Sequence, residues 1–186
     1  MPQSGVTGRF TVSVDGLLRL RHEVDLGRFG QMRSGLDGDR GWAEERPDQF
    51  KEVTGDRLAQ LRISGPLAQA GDWFDFFETA RILGTESRDR RELAKIQLTP
   101  ASGLPVTVLV DLESGDTVEE RGAIPLPGGL GSVPIVTRYA DWRDVDGARL
   151  PFRVTTEQSE SGRTISVTEE IETGLEFEEG HFTIPR

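Results

Sequence analysis

The chain has 186 residues, 35% of them hydrophobic and 29% charged, with a formal net charge of −10. That length suffices for one domain with its own core, the polarity suits a sheet with one wet face, and the acidity argues against a nucleic-acid partner. The lack of cysteine removes disulfides, thiolate nucleophiles and Cys-based metal sites, and no window approaches the ~20 apolar residues of a membrane helix.

The first stretch alternates. Phe10, Val12 and Val14 share one face, with Arg9, Thr11 and Ser13 on the other, the period-two signature of a half-buried strand. Asp15-Gly16 is a hairpin dipeptide. Leu18, Leu20, His22, Val24 and Leu26 then alternate with charged residues, Gly27 to Gly30 turns, Gln31 to Leu36 forms a third strand, and Asp37-Gly38 leads to a short fourth at Gly41 to Glu45. This quarter reads as a meander of hairpins.

Residues 46–79 break the pattern. Thr54 stands where an N-cap would precede the helically spaced Leu58, Leu61 and Ile63, and Ser64-Gly65-Pro66 ends that run. Leu67 to Thr79 carries Trp73, Phe74, Phe76 and Phe77, and the segment is expected to form one or two short helices. From residue 80 the β pattern returns. Strands are expected at Arg81–Arg88, Glu92–Thr99, Pro105–Leu112, Thr117–Arg121, Val133–Trp142, Leu150–Thr156, Arg163–Ile171 and Phe182–Pro185. Turn signals separate them at Ser102-Gly103, Ser114-Gly115-Asp116, Pro127-Gly128-Gly129, Asp146-Gly147 and Ser161-Gly162. The chain is therefore expected to be mainly β. It reads as a single large curved antiparallel sheet of about ten to twelve strands, with a short helical insertion as a lid over its apolar inner face.

Chemistry-bearing residues are sparse. His22 sits on the apolar face of a strand and His181 precedes the last short one, so neither reads as a ligand or a base. Glu119 and Glu120 are adjacent on a strand and point to opposite faces, which excludes them as a facing catalytic pair. Glu169-Glu170 and Glu176 to Glu179 read as a solvated edge. Asp37-Gly38-Asp39 lacks the later ligands of a calcium loop, and Gly128-Gly129-Leu130-Gly131 lacks the helix that a phosphate cradle needs. No catalytic residue, metal or cofactor is assigned. An enzyme built from Asp111, Asp141 and Glu157 stays as an alternative that requires these carboxylates to meet.

Three phrases carry a family resemblance. They are Leu18 to Glu23 followed by Phe29-Gly30, Leu36-Asp37-Gly38 and Gly41-Trp42; then Val108 to Gly115; then Tyr139 to Phe152. In this order, from about Thr7 to the end, the chain resembles the LolA-like superfamily, the carriers and receptors that sort lipoproteins to the bacterial outer membrane. The resemblance implies a half-open barrel with helices in its mouth, an apolar cavity for acyl chains and an extracytoplasmic, periplasmic or cell-envelope home. It also implies one domain over residues 1–186 that begins after the family's usual first helix and strand, and a role for Arg21 as the strand arginine touching the lid. The leading expectation is non-catalytic binding of a lipid or an acylated protein. The lining would be Phe10, Val12, Leu18, Leu20, Trp73, Phe74, Phe77, Val108, Val110 and Phe152. The alternative is a structural or accessory domain of a larger exported protein, its hollow filled by its own chain or by a further segment of the parent.

Overall fold

A computed structural model describes residues 5–64, 73–101, 104–126, 130–159 and 162–185. The chain divides into two compact units, Met1–Gly65 with Glu176–Arg186, and Pro66–Leu175. The mainly β, open antiparallel architecture expected from the alternation is what the structure shows. The strands form a five-stranded and a seven-stranded sheet, both in simple meander order.

The first unit holds β1 (Arg9–Val14), β2 (Arg19–Asp25), β3 (Gln31–Asp37), β4 (Arg40–Arg46) and β5 (Gln49–Val53), followed by helix α1 (Gly55–Ile63). β5 was not foreseen, because its five residues carry only Phe50 and Val53 as apolar signals and its register to β4 shifts between Glu44 and Arg46. Register assigns two faces. Phe10, Val12 and Val14 pair with Val24, His22 and Leu20, which pair in turn with Met32, Ser34 and Leu36. Leu36 and Ser34 then face Gly41 and Ala43. The opposite face carries Arg21, Gly35, Trp42 and Phe50.

α1 lies on the first of these faces. A Cβ placed on Gly41 would come within 2.7 Å of Leu58 Cδ1 and 3.1 Å of Leu61 Cδ2, so the missing side chain is what lets the helix approach. Thr54 occupies the N-cap position in extended backbone, though its side chain makes no capping hydrogen bond.

The second face receives the C-terminal segment. Trp42 Nε1 donates to the Phe182 carbonyl at 2.7 Å and Arg21 Nη1 to the His181 carbonyl at 2.8 Å. Phe177 stacks on His181 at 4.8 Å and meets Phe182 edge-on at 5.0 Å. The strand expected at Phe182–Pro185 is therefore corrected to an irregular clasp. Its carbonyls accept from side chains of the sheet, and Pro185 has no amide to donate to a ladder.

The second unit holds β6 (Thr79–Arg88), β7 (Arg91–Thr99), β8 (Val106–Asp111), β9 (Thr117–Pro125), β10 (Ser132–Val145), β11 (Ala148–Gln158) and β12 (Gly162–Val167). A tight 3-10 turn at Trp73–Asp75 precedes β6. The expected helix over Leu67 to Thr79 falls in part on residues 67–72, outside the described residues, as do residues 102–103, 127–129 and 161 of the turn signals. Asp146-Gly147 turns with φ of 47° and 83°, and Asp89-Arg90 with 51° and 66°. Both are two-residue hairpins with two left-handed positions; only the first has the expected glycine.

One face of this sheet is organised by a carboxylate. Glu119 is 2% exposed and accepts from Arg121 Nε at 2.6 Å, Arg88 Nη1 at 2.8 Å and Arg138 Nε at 3.0 Å. Arg138 continues to Glu157 at 2.8 Å and Arg88 to Glu86 at 2.7 Å. Arg88 stands on β6 and Glu119 on β9, three strands or roughly 14 Å apart in a flat sheet. Their side chains reach across to meet above the fully buried Leu93 and Leu109. Burial pushes the Glu119 carboxyl up, but the hydrogen bonds and charges of Arg88 and Arg121 outweigh it and hold the group below the ordinary carboxylate range.

Two outcomes follow from these packings. Trp42 is the cross-strand partner of Gly35, and a Cβ there would stand 2.5 Å from its indole. Gly35→Ala is expected to cost about 1–3 kcal/mol, read by urea melts, with a change in tryptophan emission. Glu119 has a folded pKa below its unfolded value of about 4.5, so its contribution is present above that pH and is lost as pH falls through the folded value. Glu119→Gln is expected to cost about 2 kcal/mol at neutral pH, the three arginines being partly solvated. The gap from the wild type should narrow in melts below about pH 4.5.

Candidate functional site

The expected lining residues divide between the two units. In the first, Phe10, Val12 and Leu20 share the face that α1 covers, and Leu18 stands exposed just before β2. Coverage is uneven across that face. Leu20, Leu36, Ala43 and Val53, toward α1, are buried, whereas Phe10 is 39%, Val12 37% and Met32 54% exposed. Val24, the partner of both Phe10 and Met32, links these exposed residues into a continuous apolar strip over β1, β2 and β3. Strips of this kind on a folded surface mark contact with a ligand or partner.

In the second unit, Val108 and Val110 project with Ile96, Ala94 and Leu98 from one face of the seven-stranded sheet. Phe152 and Val154 on β11 carry that face on, Val154 opposite Tyr139. Val108, Phe152 and Phe77 are buried and Val110 and Trp73 half-buried; the Phe74 side chain lies outside the described ones. The strand alternation correctly placed Val108 with Val110 and Phe10 with Val12. Met32 was missed, although its place two residues before Ser34 on β3 puts it on the same face.

His22 lies within the first unit's apolar strip, opposite Val12 on one side and Ser34 on the other. Burial lowers its pKa from the usual histidine value. Arg21, its chain neighbour, points to the other face, the one away from α1. There it holds the C-terminal clasp, pairs with Glu23 at 2.9 Å and places its guanidinium 5.9 Å from the Trp42 ring centre.

The carboxylates hold structural partners. Asp111 accepts the backbone amide of Glu113 at 2.9 Å, Asp141 pairs with Arg143 at 2.7 Å and Glu157 with Arg138 at 2.8 Å. Glu119 and Glu120 do point to opposite faces, and Glu120 accepts from the Tyr139 hydroxyl at 3.2 Å. Burial, and then the Glu120 charge, push the Tyr139 phenol well above its ordinary value. Among the described residues no cluster of His, Asp and Glu could hold a metal ion, and no helix is long and apolar enough to cross a membrane.

No protein-family profile matches the sequence, and no curated protein matches it. Solved structures do match in fold. A LolA superfamily protein from Nitrosomonas europaea superposes with a TM-score of 0.57 at 14% identity, covering 91% of this chain and 82% of its own. A domain from Vibrio parahaemolyticus described as an outer membrane lipoprotein-sorting protein domain gives 0.58 at 12% identity, covering 95% and 80%. The open antiparallel sheets with a short helical insertion therefore form a LolA-like fold.

Proposed function

We propose that this protein is a non-catalytic, carrier-type binder of hydrophobic chains, and that the chain lies along the apolar strip of the five-stranded sheet. The observation that carries the reading is the half-covered face. α1 and its leucines seal the end near Gly41, while Phe10, Val12 and Met32 stay open to solvent on strands held in unbroken register. An acyl chain laid there gains about 0.8 kcal/mol for each methylene removed from water. The likeness to a LolA superfamily protein and to a domain described as lipoprotein-sorting supports a lipid or the acyl group of a lipoprotein as the cargo, an extracytoplasmic setting, and a single LolA-like domain spanning both units. The sealed end of the first face favours a second reading, an accessory domain whose chain fills its own hollow; an open strip without ligand affinity would support that reading.

The test is direct. Protein purified from cells is extracted with organic solvent and the extract analysed by mass spectrometry, and binding of an uncharged fluorescent dye, phenylnaphthylamine, is titrated. Co-purifying lipid and dye binding are expected. Val12→Glu, at an exposed site, should weaken the dye by about tenfold or more, whereas Thr11→Glu on the other side of the same strand should not. A lipid-free extract together with no dye binding contradicts the proposal.

A further inference from the structure

We infer that the apolar strip takes an uncharged chain and releases it when His22 gains a proton. The inference rests on the hydrophobic-ligand reading and adds to it a ligand class and a control. His22 is the one titratable side chain that β1, β2 and β3 contribute to this face among the described residues. Its cross-strand partners are Val12 and Ser34, its same-strand neighbours Leu20 and Val24, and the flanking positions Phe10 and Met32. No carboxylate on these strands stands beside it to stabilise an imidazolium.

Charges on the other packed elements do not change this. On β4 and β5, Glu45 and Lys51 pair with each other at 2.6 Å. α1 carries Asp56, Arg57 and Arg62, of which Arg62 pairs with Asp39 at 2.8 Å. Arg21 and Glu23 lie on the opposite face and pair together. The residues nearest in register are therefore apolar or hydroxylic, and burial already favours the neutral imidazole.

Laying an apolar chain over His22 removes more of its water, which disfavours the charged form further. Linkage is reciprocal, so protonation must weaken the ligand by the factor by which the ligand disfavours the proton. The sign is fixed by the placement of His22 under the chain, where an imidazolium would lose water without gaining a partner. Affinity is full where the imidazole is neutral and falls as pH drops through the His22 pKa of the free protein. An anionic lipid with its carboxylate beside His22 would do the reverse and bind more tightly in acid.

The test titrates phenylnaphthylamine against the wild type, His22→Leu and His22→Gln from about pH 7.5 to about pH 4.5, a range spanning the titration of a lowered histidine. Folding is checked by circular dichroism at each pH. In the wild type, affinity should fall by up to about tenfold per pH unit below the His22 pKa, the limiting slope of one linked proton. Both variants should lose this dependence, whatever their affinity at neutral pH, and in wild-type protein the imidazole resonance should titrate at lower pH when dye is bound. Affinity independent of pH, a dependence that survives in both variants, or tighter binding in acid overturns the inference and leaves the hydrophobic-ligand reading standing. Absence of dye binding at neutral pH contradicts that reading itself, and the inference with it.

Discussion

A single antiparallel sheet has two faces, and neither can be hidden by its own strands. Among the described residues, the five-stranded sheet of the first unit meets this constraint with two short pieces of chain, α1 and the C-terminal clasp, and most of its other features follow from that. One face receives the nine residues of α1; the other receives the C-terminal clasp. Each cover needs a glycine beneath it. Gly41 lets Leu58 and Leu61 sit down on one side, and Gly35 lets the Trp42 indole lie across the sheet on the other. Two short covers cannot mask five strands on both sides, and the remainder is the strip from Phe10 to Met32.

The seven-stranded sheet solves a different problem. It has polar and charged residues on one face, and it buries them by pairing. Glu119, held by arginines from three strands, turns an otherwise costly buried carboxylate into a tie across the sheet. Every described charge in this network has a partner.

The sequence disclosed the strands because alternation is a local signal, and the Asp-Gly turns because those residues tolerate left-handed backbone. α1 was legible from Leu58, Leu61 and Ile63. What was not legible was long-range. Nothing local marks Phe182 as the acceptor for an indole 140 residues away, and Pro185 resembled the end of a strand rather than of a clasp. Nothing local marked Glu119 as buried, because two of the arginines that hold it, Arg88 and Arg138, are distant in sequence. Of the expected lining, Phe10 and Val12 are on the face where alternation put them, and Met32 was overlooked because Ser34 interrupts the apolar alternation between it and Leu36. The fall of the lining into two units lies in the topology, which pattern alone does not encode.

The central claim is that the uncovered strip on β1, β2 and β3 is where an acyl chain rests. Methyl-resolved NMR of the protein saturated with a short-chain phospholipid tests it most directly. The account predicts intermolecular contacts from the acyl methylenes to the methyls of Val12, Val24 and Met32, with none to Thr11 on the reverse of β1. Acyl contacts confined to other methyl groups, with Val12 and Met32 unperturbed, would contradict it.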